Sequence, residues 1–376
     1  MLSRYFRTTT LGIAAALCLA PVLVAQDRPA QDQTQDQQPR GQFEERVEVN
    51  EVLLDVLVTD RQGNVIVGLD EGDFVVTEDG KPVDLTGVTF YSNRRLVESS
   101  PALAKRGVTP AQVPEDRYFI LFFEDQRSAA VDAPYLLSQQ MEAFQRARDW
   151  VRKDLLPNDW VAIVSYDAKL KVHQDFTRDR KALADAVNNA SKGKDREGNW
   201  PSRIKEGEGP SLLAALPQGN KLRDETGTIY DALRILADAS GTITGRKNML
   251  LFSRGFGRVN SFGQYIPDQR YYPDMSQALN DNNVAVYPVD LVPAGVEHTM
   301  TDAMNQLAND TGGRYFFNFT NFATPIRQIA EENSGYYLLS YRSQKPAGKS
   351  GFQDVSVKAS NPEFRVRARK GYEYGS

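Results

Sequence analysis

Oxygen-bearing side chains follow several apolar runs of the sequence at the points where those runs end. Acidic, amide and hydroxyl residues come directly after Tyr118–Phe123, and two later runs end at Ser253 and Asp290. With a threonine at a predicted helix start, the full set is Glu124, Asp125, Gln126, Ser128, Thr228, Ser253 and Asp290. Carboxylate, hydroxyl and amide oxygens are ligands for hard divalent cations such as Mg²⁺. Side chains of these types at the ends of apolar runs have the oxygen donors that such a cation requires.

Alternating strands and helices between residues 116 and 333 position these side chains. The predicted strands are Tyr118–Phe123, Trp160–Ser165, Asn248–Ser253, Val284–Asp290 and Arg314–Phe317. The predicted helices are Pro134–Leu155, Arg178–Asn189, Gly227–Ala239, Met275–Asn282, Thr301–Thr311 and Phe322–Asn333. This alternation favours an α/β fold with a doubly wound, mostly parallel sheet and helices on both faces. Such sheets bind ligands outside the carboxyl ends of their strands, so the candidate residues are expected at one edge.

Two flanking regions, 43–97 and 334–376, have a hydrophobic period of two. The first predicts strands at Val47–Thr59, Val65–Val67, Phe74–Glu78 and Val83–Tyr91, and the second at Tyr336–Tyr341, Phe352–Ala359 and Phe364–Arg369. Each region alone would leave one apolar face uncovered, so we expect the two to pair in an accessory antiparallel β-sandwich. Residues 98–115 contain three prolines and predict a linker before the α/β region.

The N-terminal residues predict export. Residues 1–25 combine Arg4 and Arg7 with an apolar run from Leu11 to Ala25, which is typical of a cleaved secretory signal and short for a membrane span. An uncleaved anchor is the alternative. Residues 26–42 are rich in Gln and Asp and predict a disordered tether. We therefore expect a periplasmic, envelope-associated or secreted protein.

Cleavage after residue 25 would change the composition of the chain in two ways. It would remove Cys18, which is the only cysteine, so the mature protein would use neither disulfides nor thiol chemistry. It would also remove Arg4 and Arg7 and take the formal net charge from −4 to −6. An acidic chain with no concentrated basic face argues against a nucleic-acid partner. No transmembrane segment is expected in the mature chain.

Seven short segments carry a family resemblance. They begin at Asp55 (DVLVTDRQGN), Leu69 (LDEGDF), Gly227 (GTIYDAL), Gly245 (GRK), Leu307 (LANDTGG), Tyr336 (YYLLSY) and Arg369 (RKGY). In this order and spacing they resemble the bacterial VWFA-related family of secreted proteins. The stretch from Asp159 to Leu183 also resembles the second-strand signature of von Willebrand factor type A (VWA) domains. The resemblance implies a VWA fold, and such domains are usually binding modules built around a metal.

The same resemblance implies a ligand-binding crevice formed by the seven residues named above, with a degenerate metal-ion-dependent adhesion site. The VWA pattern is Asp-x-Ser-x-Ser after the first strand, a Thr from the next loop and an Asp after a later strand. Glu124 takes the first Asp position, while Gln126 and Ser128 take the two Ser positions. Thr228 matches the Thr position, and Ser253 replaces the second Asp. Glu124, Ser128 and Thr228 would then hold Mg²⁺ or another divalent cation, with Glu124 dominating the affinity. The alternative is a vestigial site whose polar residues hydrogen-bond each other.

The function that follows is an exported, non-enzymatic interaction module of the adhesion type, which binds a protein or envelope ligand in the crevice. A metal-independent structural component of the cell envelope is the alternative. An exported hydrolase is least favoured, because the mature chain offers only His173 and His298 as imidazole bases and no cysteine. No catalytic residue is assigned, and both histidines are expected to be ordinary surface residues. Segment 191–221 predicts an insertion, either functional or a variable surface loop.

Overall fold

A computed structural model describes residues 47–92, 116–127, 133–193, 209–262, 265–296, 298–346 and 350–374. The predicted signal sequence 1–25, tether 26–42 and linker 98–115 lie outside these residues, as do Ser128 and residues 194–208 of the predicted insertion. Those expectations stay predictions. None of the described helices is both long and apolar enough to cross a membrane.

The elements are all β at both ends and alternate in the centre. The first part contains β1 (Val47–Thr59), a 3₁₀ turn (Glu71–Asp73), β2 (Phe74–Glu78), β3 (Lys81–Val83) and β4 (Leu85–Ser92). The central part contains β5 (Arg117–Glu124), α1 (Tyr135–Lys153), β6 (Asp159–Tyr166), β7 (Leu170–Thr177), α2 (Arg180–Ser191), α3 (Asn220–Glu225), α4 (Ile229–Ser240), β8 (Lys247–Ser253), β9 (Arg258–Val259), β10 (Tyr265–Ile266), α5 (Tyr272–Asp281), β11 (Val284–Asp290), α6 (Thr301–Asp310) and α7 (Ala323–Glu332). The last part contains β12 (Gly335–Pro346), β13 (Gly351–Ala359), β14 (Arg365–Arg367) and β15 (Gly371–Tyr374).

The central sheet has the strand order β11-β8-β5-β6-β7. Strands β5, β6, β8 and β11 run parallel, whereas β7 pairs antiparallel with β6 at the edge. Their apolar runs are buried almost throughout, so the sheet needs helices on both faces. Helices α1, α2 and α7 cover one face, and α4 and α5 cover the other. The predicted doubly wound, mostly parallel fold is confirmed, but the predicted strand Arg314–Phe317 is reduced to a single parallel bridge between Val289 and Phe316.

The two β regions form one antiparallel sandwich, as predicted. Its sheets have the orders β14-β1-β12-β4 and β15-β13-β2-β3, so each combines strands from both ends of the chain. Long antiparallel pairing between β1 and β12 joins the regions. Leu54, Val76, Leu339 and Val355 belong to one buried apolar cluster drawn from both regions. Neither region covers its apolar face alone, which is why they fold together.

Three details of the predicted sandwich are wrong, one of them the predicted strand Val83–Tyr91, which is divided between β3 and β4 in different sheets. The predicted strand Val65–Val67 reduces to a single bridge between Thr59 and Val65. The segment lies between Gly63 and Gly68, whose φ angles of 93° and 86° turn the chain on either side and leave no room for a ladder. Strand β15 was missed, because its four residues are too few to show a reliable alternation of apolar and polar side chains.

Ion pairs at Glu332 connect the sandwich to the α/β region. Glu332 ends α7 and is 2% exposed. Arg367 of β14 donates to its Oε2 at 2.8 Å, and Arg314 lies 2.5 Å from its Oε1. Two guanidinium groups thus compensate a buried carboxylate at the junction, which fixes the sandwich against the end of the helix.

Candidate ligand-binding crevice

Glu124 and Ser253 meet at the carboxyl edge of the sheet because their strands are neighbours. The Ser253 hydroxyl donates to the Glu124 carboxylate, and the Gly255 N–H donates to Ser253 Oγ at 2.8 Å. Gly255 reaches this position with a φ of 96°, packed so closely that an added Cβ would lie 2.7 Å from Met300 Cβ. Burial raises the pKa of Glu124, and the hydrogen bonds and the charge of Arg254 offset that only in part. The acid therefore belongs to an internal hydrogen-bond chain.

Asp125 and Gln126 also have internal partners. Arg127 Nε donates to both Asp125 oxygens, at 2.9 Å and 2.8 Å. Gln126 is 1% exposed, and its Nε2 donates to the Glu124 carbonyl at 3.0 Å while its N–H donates to Gln140 Oε1 at 2.8 Å. These contacts fix the turn after β5 and direct the amide of Gln126 into the protein.

Thr228 is the N-cap of α4. Its Oγ1 accepts from the Asp231 N–H at 3.1 Å and lies 2.7 Å from Asp231 Oδ2, to which the hydroxyl donates. Capping satisfies a helix N–H that has no partner within the helix. The hydroxyl that the VWA pattern assigns to a cation is therefore bonded within its own helix turn.

Asp290 anchors a hydrogen-bonded cluster that the sequence did not predict. Its Oδ2 accepts from Tyr315 Oη at 2.6 Å and lies 2.8 Å from His298 Nδ1. The other ring nitrogen of His298 lies 2.7 Å from the carbonyl oxygen of Arg254. Burial opposes a charged imidazole, but the hydrogen bond to Asp290 and its negative charge outweigh burial and raise the pKa of His298. With an acceptor near each nitrogen, the ring joins the loops after β8 and β11.

The expectation that His298 is an ordinary surface residue is wrong, since its side chain is 11% exposed. The sequence carried one usable signal, which is the carboxylate of Asp290 at a strand end. Nothing in the spacing linked it to His298 eight residues later or to Tyr315.

Ser165 and His173 form a second pair that the sequence missed. Ser165 Oγ lies 2.7 Å from His173 Nε2, across the antiparallel strands β6 and β7. Burial and the charge of Lys171 lower the pKa of His173 to about 4. His173 Nδ1 is buried without a partner among the described residues. A serine nucleophile needs a stronger base, held by a third group, so this pair lacks the arrangement that activates a hydroxyl. His173 is also partly buried, which corrects its assignment as an ordinary surface residue.

The described residues do not fit a hard divalent cation. They contain no group of three or more His, Cys, Asp or Glu side chains placed to hold a metal ion. Mg²⁺ requires about six oxygens in near-octahedral geometry. Glu124 is bonded to Ser253, Thr228 to Asp231, and Asp290 to Tyr315 and His298. Of these bonds, only the one between Glu124 and Ser253 joins two of the predicted site residues, as the alternative of a vestigial site predicts.

We expect calorimetric titration with Mg²⁺, Mn²⁺ and Ca²⁺ to give no saturable heat at millimolar metal. The physical reason is that a cation would have to displace Ser253 from Glu124, whose charged form is already disfavoured by burial. Glu124→Ala is the matched variant and should give the same trace. Saturable binding by the wild type that Glu124→Ala abolishes would contradict this and restore the metal site.

Four apolar side chains on segments that follow strands at the carboxyl edge are exposed; we call Val259, Phe262, Val296 and Phe317 the apolar rim. Their exposed fractions are 49%, 86%, 41% and 53%. Val259 and Phe262 lie in the β9–β10 hairpin after β8, Val296 follows β11, and Phe317 follows the bridge from Phe316 to Val289. Carboxyl ends of neighbouring parallel strands meet at one edge, so all four residues belong to segments that leave the same edge of the sheet.

The strand order and the helices on both faces define a doubly wound α/β fold. Comparison with solved structures finds low similarity. The human COPII-coat protein Sec24c matches 69% of this chain at 8% identity with a TM-score of 0.37, and the chain spans only 44% of Sec24c. A von Willebrand factor type A protein from Catenulispora acidiphila matches 86% of this chain and 73% of its own at 10% identity, TM-score 0.36. The ArnB paralog VWA2 from Sulfolobus acidocaldarius matches 86% of this chain over 75% of its own length, at 9% identity and with a TM-score of 0.33.

Comparisons with protein-family models and with curated protein sequences find no match. No residue role, ligand or partner is carried over from the structural neighbours. The functional assignment therefore depends on the geometry of this chain.

Proposed function

We propose that the chain is an exported, non-enzymatic interaction module that docks a protein on the apolar rim of its VWA crevice without a metal. The observation that carries the proposal is the exposure of Phe262 and Phe317, at 86% and 53%, beside polar groups that already bond each other. Exposed aromatic side chains around a concave site are typical anchors of protein interfaces. The secreted VWFA-related family remains the family proposed for the chain.

One residue of the rim, Phe317, is supported by packed neighbours. Phe317 stacks on Tyr315, with ring centroids 5.1 Å apart and planes 22° apart, and Tyr315 is bonded to Asp290. Tyr315 also belongs to a small apolar cluster with Met304, against which Phe256 packs. A side chain held in place by packed and hydrogen-bonded neighbours, as Phe317 is, loses little entropy when a partner binds.

Protein docking differs from the two other proposals by what the crevice does. A structural envelope component would bind nothing at the rim, and replacing rim residues would have no consequence. An exported hydrolase would need an activated nucleophile, whereas Ser165 has only a weakly basic, unsupported partner in His173. The exposed aromatic side chains favour docking over a structural component and over a hydrolase. Export is part of the proposal because of the predicted signal sequence in residues 1–25.

We expect Phe262→Ser and Phe317→Ser to weaken capture of a specific protein from envelope extract. Loss of one buried aromatic anchor costs about 2 kcal/mol or more of binding free energy. Phe352→Ser is the matched control, because Phe352 is 48% exposed but lies on β13 of the sandwich. The proposal is supported if the wild type and Phe352→Ser capture the same protein, with and without chelator. Phe262→Ser and Phe317→Ser should both fail to capture it. Equal capture by all four proteins would refute the proposal.

A further inference from the structure

A cavity of 450 Å³ lies at the opposite, amino-terminal edge of the central sheet, where the sandwich meets it. Strand β1 supplies part of one wall. Leu54 and Val56 belong to the sandwich core. The alternation of side chains along a strand therefore directs Leu53 and Asp55 to the opposite face, where both line the cavity. The volume falls within the range of about 300–1,000 Å³ that is usual for small-molecule sites.

Asp55 presents a buried carboxylate to this cavity. The residue is 9% exposed, and its Oδ2 accepts from the Asn283 amide. Among the described residues Oδ1 has no hydrogen-bond partner, yet it keeps accessible surface. Lys247 and Arg369 are near enough to act on the charge of Asp55, but both donate to backbone carbonyl groups. A buried carboxylate with one open oxygen favours an ammonium group as its partner.

Arg246 presents a guanidinium group to the same cavity. It is 7% exposed, and its Nη2 donates to the Gly312 carbonyl at 2.7 Å. Its Nε is enclosed by protein, whereas Nη1 keeps accessible surface and has no hydrogen-bond partner within the described part of the chain. A guanidinium group with an open N–H favours a carboxylate as its partner.

Arg117 and Asp116, which also line the cavity, are already compensated. Arg117 forms a buried pair with Asp159, at 2.6 Å and 2.8 Å, and Asp116 pairs with Arg178. The wall therefore offers one open charge of each sign. A ligand that carries both an ammonium group and a carboxylate complements this pattern, whereas a simple cation or anion would pair with only one of the two charges.

The remaining wall is largely apolar and aromatic. Tyr91 and Tyr336 stack with centroids 5.4 Å apart and planes 21° apart, and Tyr118 and Leu338 also line the cavity. Burial raises the pKa of the Tyr336 phenol, the charge of Asp55 raises it further and the charge of Arg246 lowers it. Both charges thus lie near the same ring. Rings and a leucine beside the two charges provide a surface for an apolar side chain.

We propose that this cavity binds a free amino acid with an apolar side chain, whose ammonium group donates to Asp55 Oδ1 and whose carboxylate accepts from Arg246 Nη1. The tyrosine rings contact the side chain of the ligand. The site is separate from the protein-docking rim and does not depend on it.

The test uses L-leucine and L-phenylalanine as probes, with calorimetry and saturation-transfer NMR on the full chain at pH 7. Each amino acid is compared with its amide, which lacks the carboxylate, and with its N-acetyl derivative, which lacks the ammonium group. At least one of the two amino acids should bind. Both of its derivatives should bind at least about tenfold more weakly, because each leaves one buried charge of the wall without a partner.

Two variants assign the two charges to the two ends of the ligand. Asp55→Asn should weaken binding of the amino acid at least about tenfold and leave the N-acetyl derivative unaffected. Arg246→Gln should weaken binding of the amino acid similarly and leave the amide unaffected. Asp354→Asn is the matched control, because it removes a negative charge at an exposed position of β13, and it should leave all affinities unchanged.

A blocking variant keeps the test decisive where Asp55→Asn or Arg246→Gln disturbs folding. Leu53 lines the cavity and is 50% exposed, so Leu53→Trp should fold normally and abolish binding by filling the space. Absence of binding by both amino acids at millimolar concentration would overturn the proposal. Equal affinities for an amino acid and either of its derivatives, or binding that persists in Leu53→Trp, would overturn it equally.

Discussion

Replacing Arg117 by Met should lower the free energy of unfolding by about 3–5 kcal/mol, because it leaves the Asp159 carboxylate buried without its cation. The two side chains are 4% and 0% exposed, and Arg117 holds both carboxylate oxygens through its Nε and Nη2. Its Nη1 donates to the Ala330 carbonyl at 2.7 Å, so the same side chain also ties β5 to α7. The measurement is urea unfolding followed by circular dichroism.

Two further variants identify the cause of that loss. Arg61→Met removes an ion pair whose side chains are 67% and 70% exposed, and it should cost well under about 1 kcal/mol. The double variant Arg117→Met with Asp159→Leu removes both charges and should recover much of the stability, since buried ion pairs can often be replaced by apolar groups. A single Arg117→Met that is no less stable than Arg61→Met would contradict the assigned role.

Acidification from pH 7 to pH 4 should destabilise the wild type by roughly 3 kcal/mol more than it destabilises His173→Gln. Burial and Lys171 lower the pKa of His173 to about 4 in the folded protein, against an ordinary value of 6.5. Between these values the unfolded chain binds more protons, so the stabilisation is complete above pH 6.5 and is lost as the pH falls towards 4. Glutamine retains a hydrogen-bonding group for Ser165 and has no proton to gain.

The measurement is urea unfolding of both proteins at each pH. Because both proteins share the same carboxylates, the difference between them isolates the contribution of His173 to the pH dependence of stability. His298 acts in the opposite direction: its raised pKa gives stability below pH 6.5 that is lost as the pH rises through its folded value. Both proteins contain His298, so its contribution cancels in the difference between their pH dependences. Identical pH dependence of wild type and His173→Gln would show that His173 is not held neutral by the fold.

Hydrophobic periodicity was sufficient to predict the main layers. The run Tyr118–Phe123 lies within β5 (Arg117–Glu124), and β8 and β11 end at Ser253 and Asp290 as expected. The pairing of the two end regions was predicted because each region alone would leave one apolar face of its strands uncovered. The hairpin β9–β10 was not predicted, since two-residue strands leave no periodic signal.

The candidate site was harder to predict because its bonds join residues that are distant in the sequence. The residue types and the predicted strand ends placed Glu124, Ser253 and Asp290 at one edge of the central sheet. Periodicity carries no information on whether Ser253 bonds Glu124 or a cation, or on the imidazole of His298 reaching Asp290. Those choices depend on burial and on the loops that close the edge, which only the folded structure shows.

Photo-cross-linking at the rim tests the docking surface most directly. A benzoylphenylalanine in place of Phe262 should capture one dominant protein in envelope extract, equally with and without a chelator, whereas the same group in place of Phe352 should not. The physical basis is that Phe262 is 86% exposed beside the crevice, while Phe352 is 48% exposed on the sandwich. Cross-links of equal yield and identity at both positions, or none at position 262, would contradict a protein-docking function for the crevice.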